Sequence, residues 1–178
     1  MDFSKLNLKQ MNMKKLHKDQ RGITLIELII VIAITGIITA GITMTIFQVF
    51  NMNTRASNRM TAVSQVQQAG KLVSEDILEA QGVEPGGSSG FPLALNWTEE
   101  GGTGDLHTII YTLEDGELWR NESVNGGNST LTRVAEHIDL AGTSCDWDGE
   151  VLTFTVTATV GEQSETRVYE VKPRPGSS

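Results

Sequence analysis

A single carboxylate, Glu27, stands at the start of a long apolar run, and no further charged residue occurs until Arg55. An acidic side chain inside a membrane helix costs about 2.5–3.5 kcal/mol, and such groups are usually paired. Glu27 is therefore the residue whose type and position point most directly to chemistry: an anion that calls for a cation in a low-dielectric setting. The plainer reading is a polar side chain reaching back to the interface. Other groupings offer less. His17, His107 and His137 accompany no recognisable nucleophile motif, so a hydrolase is not indicated. Asp146, Asp148 and Glu150 around Gly149 could suggest a calcium loop. Their spacing departs from the D-x-[DN]-x-[DN]-G ladder and reads as a solvated hairpin turn. Trp97, Trp119 and Trp147 read as core or rim packing rather than a binding patch. Cys145 is the only cysteine, which excludes an intramolecular disulfide. The glycine-rich stretch after Pro85 lacks the preceding strand and the lysine of a phosphate loop. Three N-x-[ST] matches, at Asn96, Asn121 and Asn128, are assigned no role. There is no cofactor motif and no metal-type Cys/His cluster.

The element that must carry Glu27 is a membrane helix. Leu28 to Phe50 is a run of 23 residues, mostly Ile, Val, Ala and Thr. About 20 such residues cross a bilayer core of roughly 30 Å. Lipid offers the backbone no other partner, so a helix is required there despite the many β-branched residues. Charge supports the placement. Residues 1–22 hold six Lys and Arg against two Asp, a surplus of four positive charges, so the overall -8 leaves -12 on the remainder. A basic head, an apolar run and an acidic body describe a chain whose head stays in the cytoplasm and whose body lies outside it. In an ordinary secretory signal the apolar region is shorter and the small residue follows it; here Gly22 precedes it.

Arg21-Gly22-Ile23-Thr24-Leu25-Ile26-Glu27-Leu28, followed by IIVIAITGIITA, resembles the signal and first helix of bacterial type IV prepilins and type II secretion pseudopilins. The resemblance implies that a prepilin peptidase recognises Arg21 and Gly22, cuts between Gly22 and Ile23, and methylates the new amine of Ile23. It places the family's glutamate on Glu27 and its mid-helix glycine on Gly36, and assigns Glu27, with Thr24 beside it, to assembly. The implied partners are other pilin or pseudopilin subunits, the prepilin peptidase/methyltransferase, an inner-membrane assembly platform and the lipid bilayer. Two positions depart from the family pattern. The first mature residue is Ile23 rather than Phe, and Thr43-Met44 stands where major pilins commonly carry proline. The charge logic agrees with the resemblance. A cut at Gly22 would expose an amine on Ile23, for which Glu27 is an anionic partner. In one helix, Ile23 and Glu27 would share a face, so a pair within the chain is possible; the family pairs the glutamate with a neighbour's amine.

Beyond the membrane, apolar or small residues recur at Ala56, Met60, Val63, Val66, Ala69, Val73, Ile77 and Ala80, with no proline before Pro85. This predicts one helix from Ile23 to about Ala80, roughly 85 Å long. The domain layout that follows is a leader over 1–22, a membrane half of the helix over 23–54, and an amphipathic half over 55–84. A Gly/Ser-rich linker then covers 85–106 and an antiparallel sheet 107–178. Within the sheet, 107–113 and 117–120 read as a hairpin closed by Asp115-Gly116. Asn125-Gly126-Gly127 is a turn, and 131–140 holds one or two short strands. Leu152 to Val160 alternates apolar residues with threonine and predicts one buried face. A last strand covers about 165–171. The expected fold class is α+β: a long N-terminal helix packed on a C-terminal antiparallel sheet.

The order of these elements is similar to minor pilins and pseudopilins, especially the J-type component of type II secretion. That implies a structural and assembly subunit of a type IV pilus-like or type II secretion filament, held in the inner membrane and then placed in a periplasmic or cell-surface filament. A ligand-binding tip subunit, such as an adhesin or a DNA-uptake minor pilin, is the alternative; an enzyme is not expected. Nucleic acid is not favoured as a partner. Residues 23–178 hold eight Lys and Arg against twenty Asp and Glu, and that field opposes phosphate binding except at a local patch of Arg120, Arg133 or Arg167.

Overall fold

The computed structural model describes residues 22–87, 89–99 and 104–175. The chain divides into two compact units between Ile46 and Phe47. A single helix, α1 (Leu25–Glu79), runs through both. In the first unit every described residue is exposed, and α1 is long and apolar enough to cross a bilayer. Its threonines resolve a difficulty that such a helix faces. The hydroxyls of Thr35, Thr39, Thr43 and Thr45 donate to the carbonyls one turn back, those of Val31, Thr35, Thr39 and Gly41, at 2.7–2.9 Å. Each polar side chain is thereby satisfied inside the helix and needs nothing from an apolar solvent.

In the second unit α1 packs on two antiparallel sheets. β1 (Gly82–Gly86), β2 (Gly90–Thr98), β3 (Leu106–Glu114), β4 (Glu117–Val124) and β5 (Thr130–Ala135) form a meander in sequence order. β6 (Ser144–Trp147), β7 (Leu152–Val160) and β8 (Gln163–Val171) form the second sheet. The expected α+β fold, a long helix packed on antiparallel strands, is what the chain adopts. The connection between the sheets is tied at both ends. Ile138 N–H donates to Gly116 O at 2.8 Å, at the β3–β4 turn, and Ile138 bridges to Ala158 of β7.

The segment expected to be a linker, 85–106, is corrected: it holds the end of β1, all of β2 and the first residue of β3. The sheet region thus begins at Gly82, and the amphipathic part of the helix stops at Glu79 rather than continuing to 84. Leu93, Leu95 and Trp97 do alternate with Ala94, Asn96 and Thr98, but glycines and prolines around them hide the period. The prolines sit where they cost little. Pro85 lies in the edge strand β1, and Pro92 sits at a register irregularity between β1 and β2. β6 was not expected either; at four residues it is too short to show a period.

The stripe on α1 is shifted from expectation. Ala62, Val66, Ala69, Val73, Ile77 and Ala80 are fully buried, whereas Ala56 and Met60 are exposed. Steps of three residues fall short of a full turn, so Met60 lies about 120° around the helix from Val66. The core closes on this stripe from both sides. Leu93, Leu95, Ile109, Tyr111 and Leu118 come from the first sheet, and Leu152, Phe154, Val156 and Ala158 from β7, all fully buried. The apolar face of β7 is therefore the expected one. The β3–β4 turn is also as expected. Asp115 and Gly116 have φ of 52° and 77°, the left-handed pair that a two-residue hairpin requires.

Gly70 sets how close β8 comes to the helix. A Cβ at this position would lie 2.0 Å from Tyr169 Cζ, and the Tyr169 hydroxyl donates to Val66 O at 3.2 Å. In an open helix, Gly→Ala is stabilising by up to about 1 kcal/mol. Here the buried overlap should outweigh that gain, and Gly70→Ala should destabilise by about 1–3 kcal/mol. Thermal unfolding of the detergent-solubilised chain measures this. In a Tyr169→Ala background, which removes the ring, the same substitution should turn neutral or stabilising.

Candidate functional site

Gly22, Ile23 and Thr24 precede the helix, and α1 begins at Leu25. Thr24 is its N-cap. The Thr24 carbonyl accepts the first helical bond from Leu28 N–H at 3.2 Å, and its Oγ1 accepts from Glu27 N–H at 3.3 Å. A hydroxyl placed there satisfies one of the amides that a helix start leaves unpaired. The signal for this is the pattern Thr-x-x-Glu before an apolar run, which the reading of one helix from Ile23 passed over. The consequence is a correction: Ile23 lies outside α1, so it and Glu27 do not share a helical face in this chain.

Glu27 sits in the first turn, where a negative charge complements the helix dipole. It is exposed, and among the described residues its carboxylate makes no ion pair. Ile23 is 73% exposed, so the bond between Gly22 and Ile23 lies in accessible, non-helical backbone. Arg21, His17 and the other leader residues before Gly22 fall outside the described residues. Gly36 lies within α1 with no neighbour against it.

Residues 17–43 match the prokaryotic N-terminal methylation motif. This motif is typical of type IV prepilins and pseudopilins, and its span takes in Gly22, Ile23, Thr24, Glu27 and Gly36. No curated protein and no solved structure matches the chain. The match, together with the apolar helix behind it, supports a membrane-anchored chain of the pilin kind, and it covers the segment in which the candidate residues lie.

The remaining groups from the sequence are placed as follows. Asp148 Oδ1 accepts from the amides of Val151 at 2.7 Å and Glu150 at 2.8 Å. Those two bonds, Val151 first, hold its carboxyl below the ordinary range, as a self-contained turn does. Cys145 is 3% exposed, and burial, with Asp146 adding to it, pushes its thiol up to about 12. It is an inert core residue. All three tryptophans are half-buried. Arg133 pairs with Glu117 at 2.7 Å and Glu136 at 3.4 Å, and Arg167 with Glu165 at 3.7 Å. Arg120 is likewise engaged, so each arginine that could have formed a basic patch has an acidic neighbour.

Arg120 belongs to a network that sequence reasoning missed. Asp76, on the buried stripe of α1, accepts from Arg120 Nε at 2.7 Å and Nη2 at 3.2 Å. It also accepts from the Tyr111 hydroxyl. Arg120 Nη1 donates to Glu122 at 2.6 Å. Burial, then the charge of Asp76, pushes the Tyr111 phenol far above its ordinary value, so it remains a donor. Burial opposes the charge on Arg120, but bonds to Asp76 and Glu122 outweigh it and raise its pKa. An acid between Val73 and Ile77 was the visible signal: a charge on an apolar stripe implies a buried partner. Asp76→Ala should cost about 2–4 kcal/mol in denaturant unfolding, because Tyr111 is left buried without its acceptor and half-buried Arg120 keeps only Glu122. Asp76→Leu with Arg120→Met should cost less than Asp76→Ala alone.

Proposed function

We propose that the chain is a structural and assembly subunit, a minor pilin or pseudopilin, of a type IV pilus-like or type II secretion filament. The carrying observation is the methylation motif laid over this local geometry: Gly22 and Ile23 in exposed backbone, then a capped helix with one carboxylate in its first turn. In this reading the chain is inserted with its basic head in the cytoplasm. The prepilin peptidase, engaging Arg21 and Gly22, releases the head, and the new amine of Ile23 is methylated. The membrane half of α1 then passes from lipid to a bundle of like helices. There the Ile23 amine of one subunit meets Glu27 of another, and each neutralises a charge that a low-dielectric bundle would otherwise penalise. The assembly platform and the other subunits are partners on the same reading. The acidic body and the family's structural character support a non-enzymatic role.

Two measurements test this. Intact mass of the membrane-extracted protein should correspond to a chain that begins at methylated Ile23; a chain in assembled filaments that retains Met1 would sink the proposal. Glu27→Ala should leave insertion and cleavage at Gly22 unchanged while incorporation into sheared filaments falls sharply. Glu27→Gln should behave almost as badly and Glu27→Asp should be intermediate. Filament entry by Glu27→Ala at the parental level would reduce the chain to a plain anchored domain.

A further inference from the structure

The face of the first sheet that packs on α1 is longer than the helix that covers it. Along β2 this face carries Leu93, Leu95 and then Trp97; along β3 it carries Tyr111, Ile109 and then His107; along β4, Leu118, Arg120 and then Glu122. Leu93, Leu95, Tyr111, Ile109 and Leu118 are fully buried and Arg120 half-buried, but α1 stops at Glu79. What remains is a cavity of 540 Å³ floored by Trp97, His107, Arg120 and Glu122 and walled by the last turn of α1 and by Glu99. It lies within the second unit and is independent of the N-terminal segment.

We infer that this cavity is a binding site for a basic side chain, a guanidinium or ammonium presented by a partner protein. Three observations carry the inference. First, Trp97 and His107 are cross-strand partners whose rings stack with centroids 5.2 Å apart and planes 5° from parallel. Two stacked π-systems give a flat platform, and the face of a tryptophan attracts cations best of all side chains. Second, the lining carries four carboxylates, Asp76, Glu79, Glu99 and Glu122, against two guanidiniums, Arg120 and Arg174, an excess of two negative charges. Arg120 is already spent on Asp76 and Glu122, whereas Glu79 and Glu99 are exposed and make no ion pair among the described residues. Third, the lining contains no amide or hydroxyl side chain. The acceptors it offers are therefore mainly carboxylates, and carboxylates beside an aromatic face are what a planar cation takes.

The test is equilibrium binding of N-acetylarginine amide to the full-length protein in detergent, with N-acetylglutamine amide and glucose as comparison ligands. The expected result is saturable binding of the arginine derivative that weakens with salt. Glu79→Gln and Glu99→Gln lie on the surface and leave the fold intact; each should weaken binding about three- to fivefold. Trp97→Leu should weaken it as well. The inference is overturned by an absence of saturable binding, by glutamine derivative or glucose binding as tightly as arginine derivative, or by both Glu→Gln variants retaining parental affinity.

Discussion

Burial of one stripe of α1, from Ala62 to Ile77, with Ala80 just beyond its end, is the contact on which the globular unit depends. The two sheets share no strand, and each is apolar on one face only, so neither closes a core alone. The helix supplies the surface both need. Small residues on it decide how near the sheets come. Gly70 allows the ring of Tyr169 to rest directly on the helix backbone, while larger residues, Val66, Val73 and Ile77, share one core with residues of β2, β3 and β7. At the far end the stripe changes character. Asp76 replaces an apolar residue, and its bonds to Arg120 and Tyr111 tie the last turns of α1 to β3 and β4 by direction as well as by area. Apolar contact fixes little rotation; a carboxylate gripped by a guanidinium and a phenol fixes a good deal.

The same helix meets a different demand in its first unit. There it has no stripe, because residues are apolar on all sides. Polarity is confined to groups the helix satisfies itself, the threonine hydroxyls bonded one turn back, and to Glu27, which it does not satisfy. A helix that internalises every polar group but one directs attention to that one. Thr24 sharpens the point by ending the helix just before Leu25, which leaves the Gly22–Ile23 bond in a conformation that differs from the helix behind it.

The N-terminal methylation motif was legible because its signals are local. A basic head, Gly22, an apolar run of membrane length and a carboxylate at Glu27 are adjacent in sequence, and their meaning depends on hydropathy and charge alone. The strand of Leu152 to Val160 and the Asp115-Gly116 turn were legible for the same reason: period-two alternation and the tolerance of Gly and Asp for left-handed backbone are properties of a few neighbouring residues. β1 and β2 were not, since Pro85, Pro92 and the glycines beside them break every short-range pattern, and only pairing with β3 shows that they are strands.

Tertiary structure alone decided the rest. Met60 and Ala62 look equally eligible for the buried stripe until the sheets select a face. Asp76, Tyr111 and Arg120 are separated by 35 and 44 residues in the chain, and no local rule brings them together. The platform of Trp97 and His107 exists only because β2 and β3 pair in a register that sets them opposite each other while α1 ends short of covering them. The sequence by itself determined the broad layout, an apolar helix of membrane length within a methylation motif and an acidic β-rich body, because solvent preference and charge are summed residue by residue. Which side chains share a core, an ion pair or a cavity depends on strand register and helix rotation, and those are settled by contacts between residues far apart in the chain.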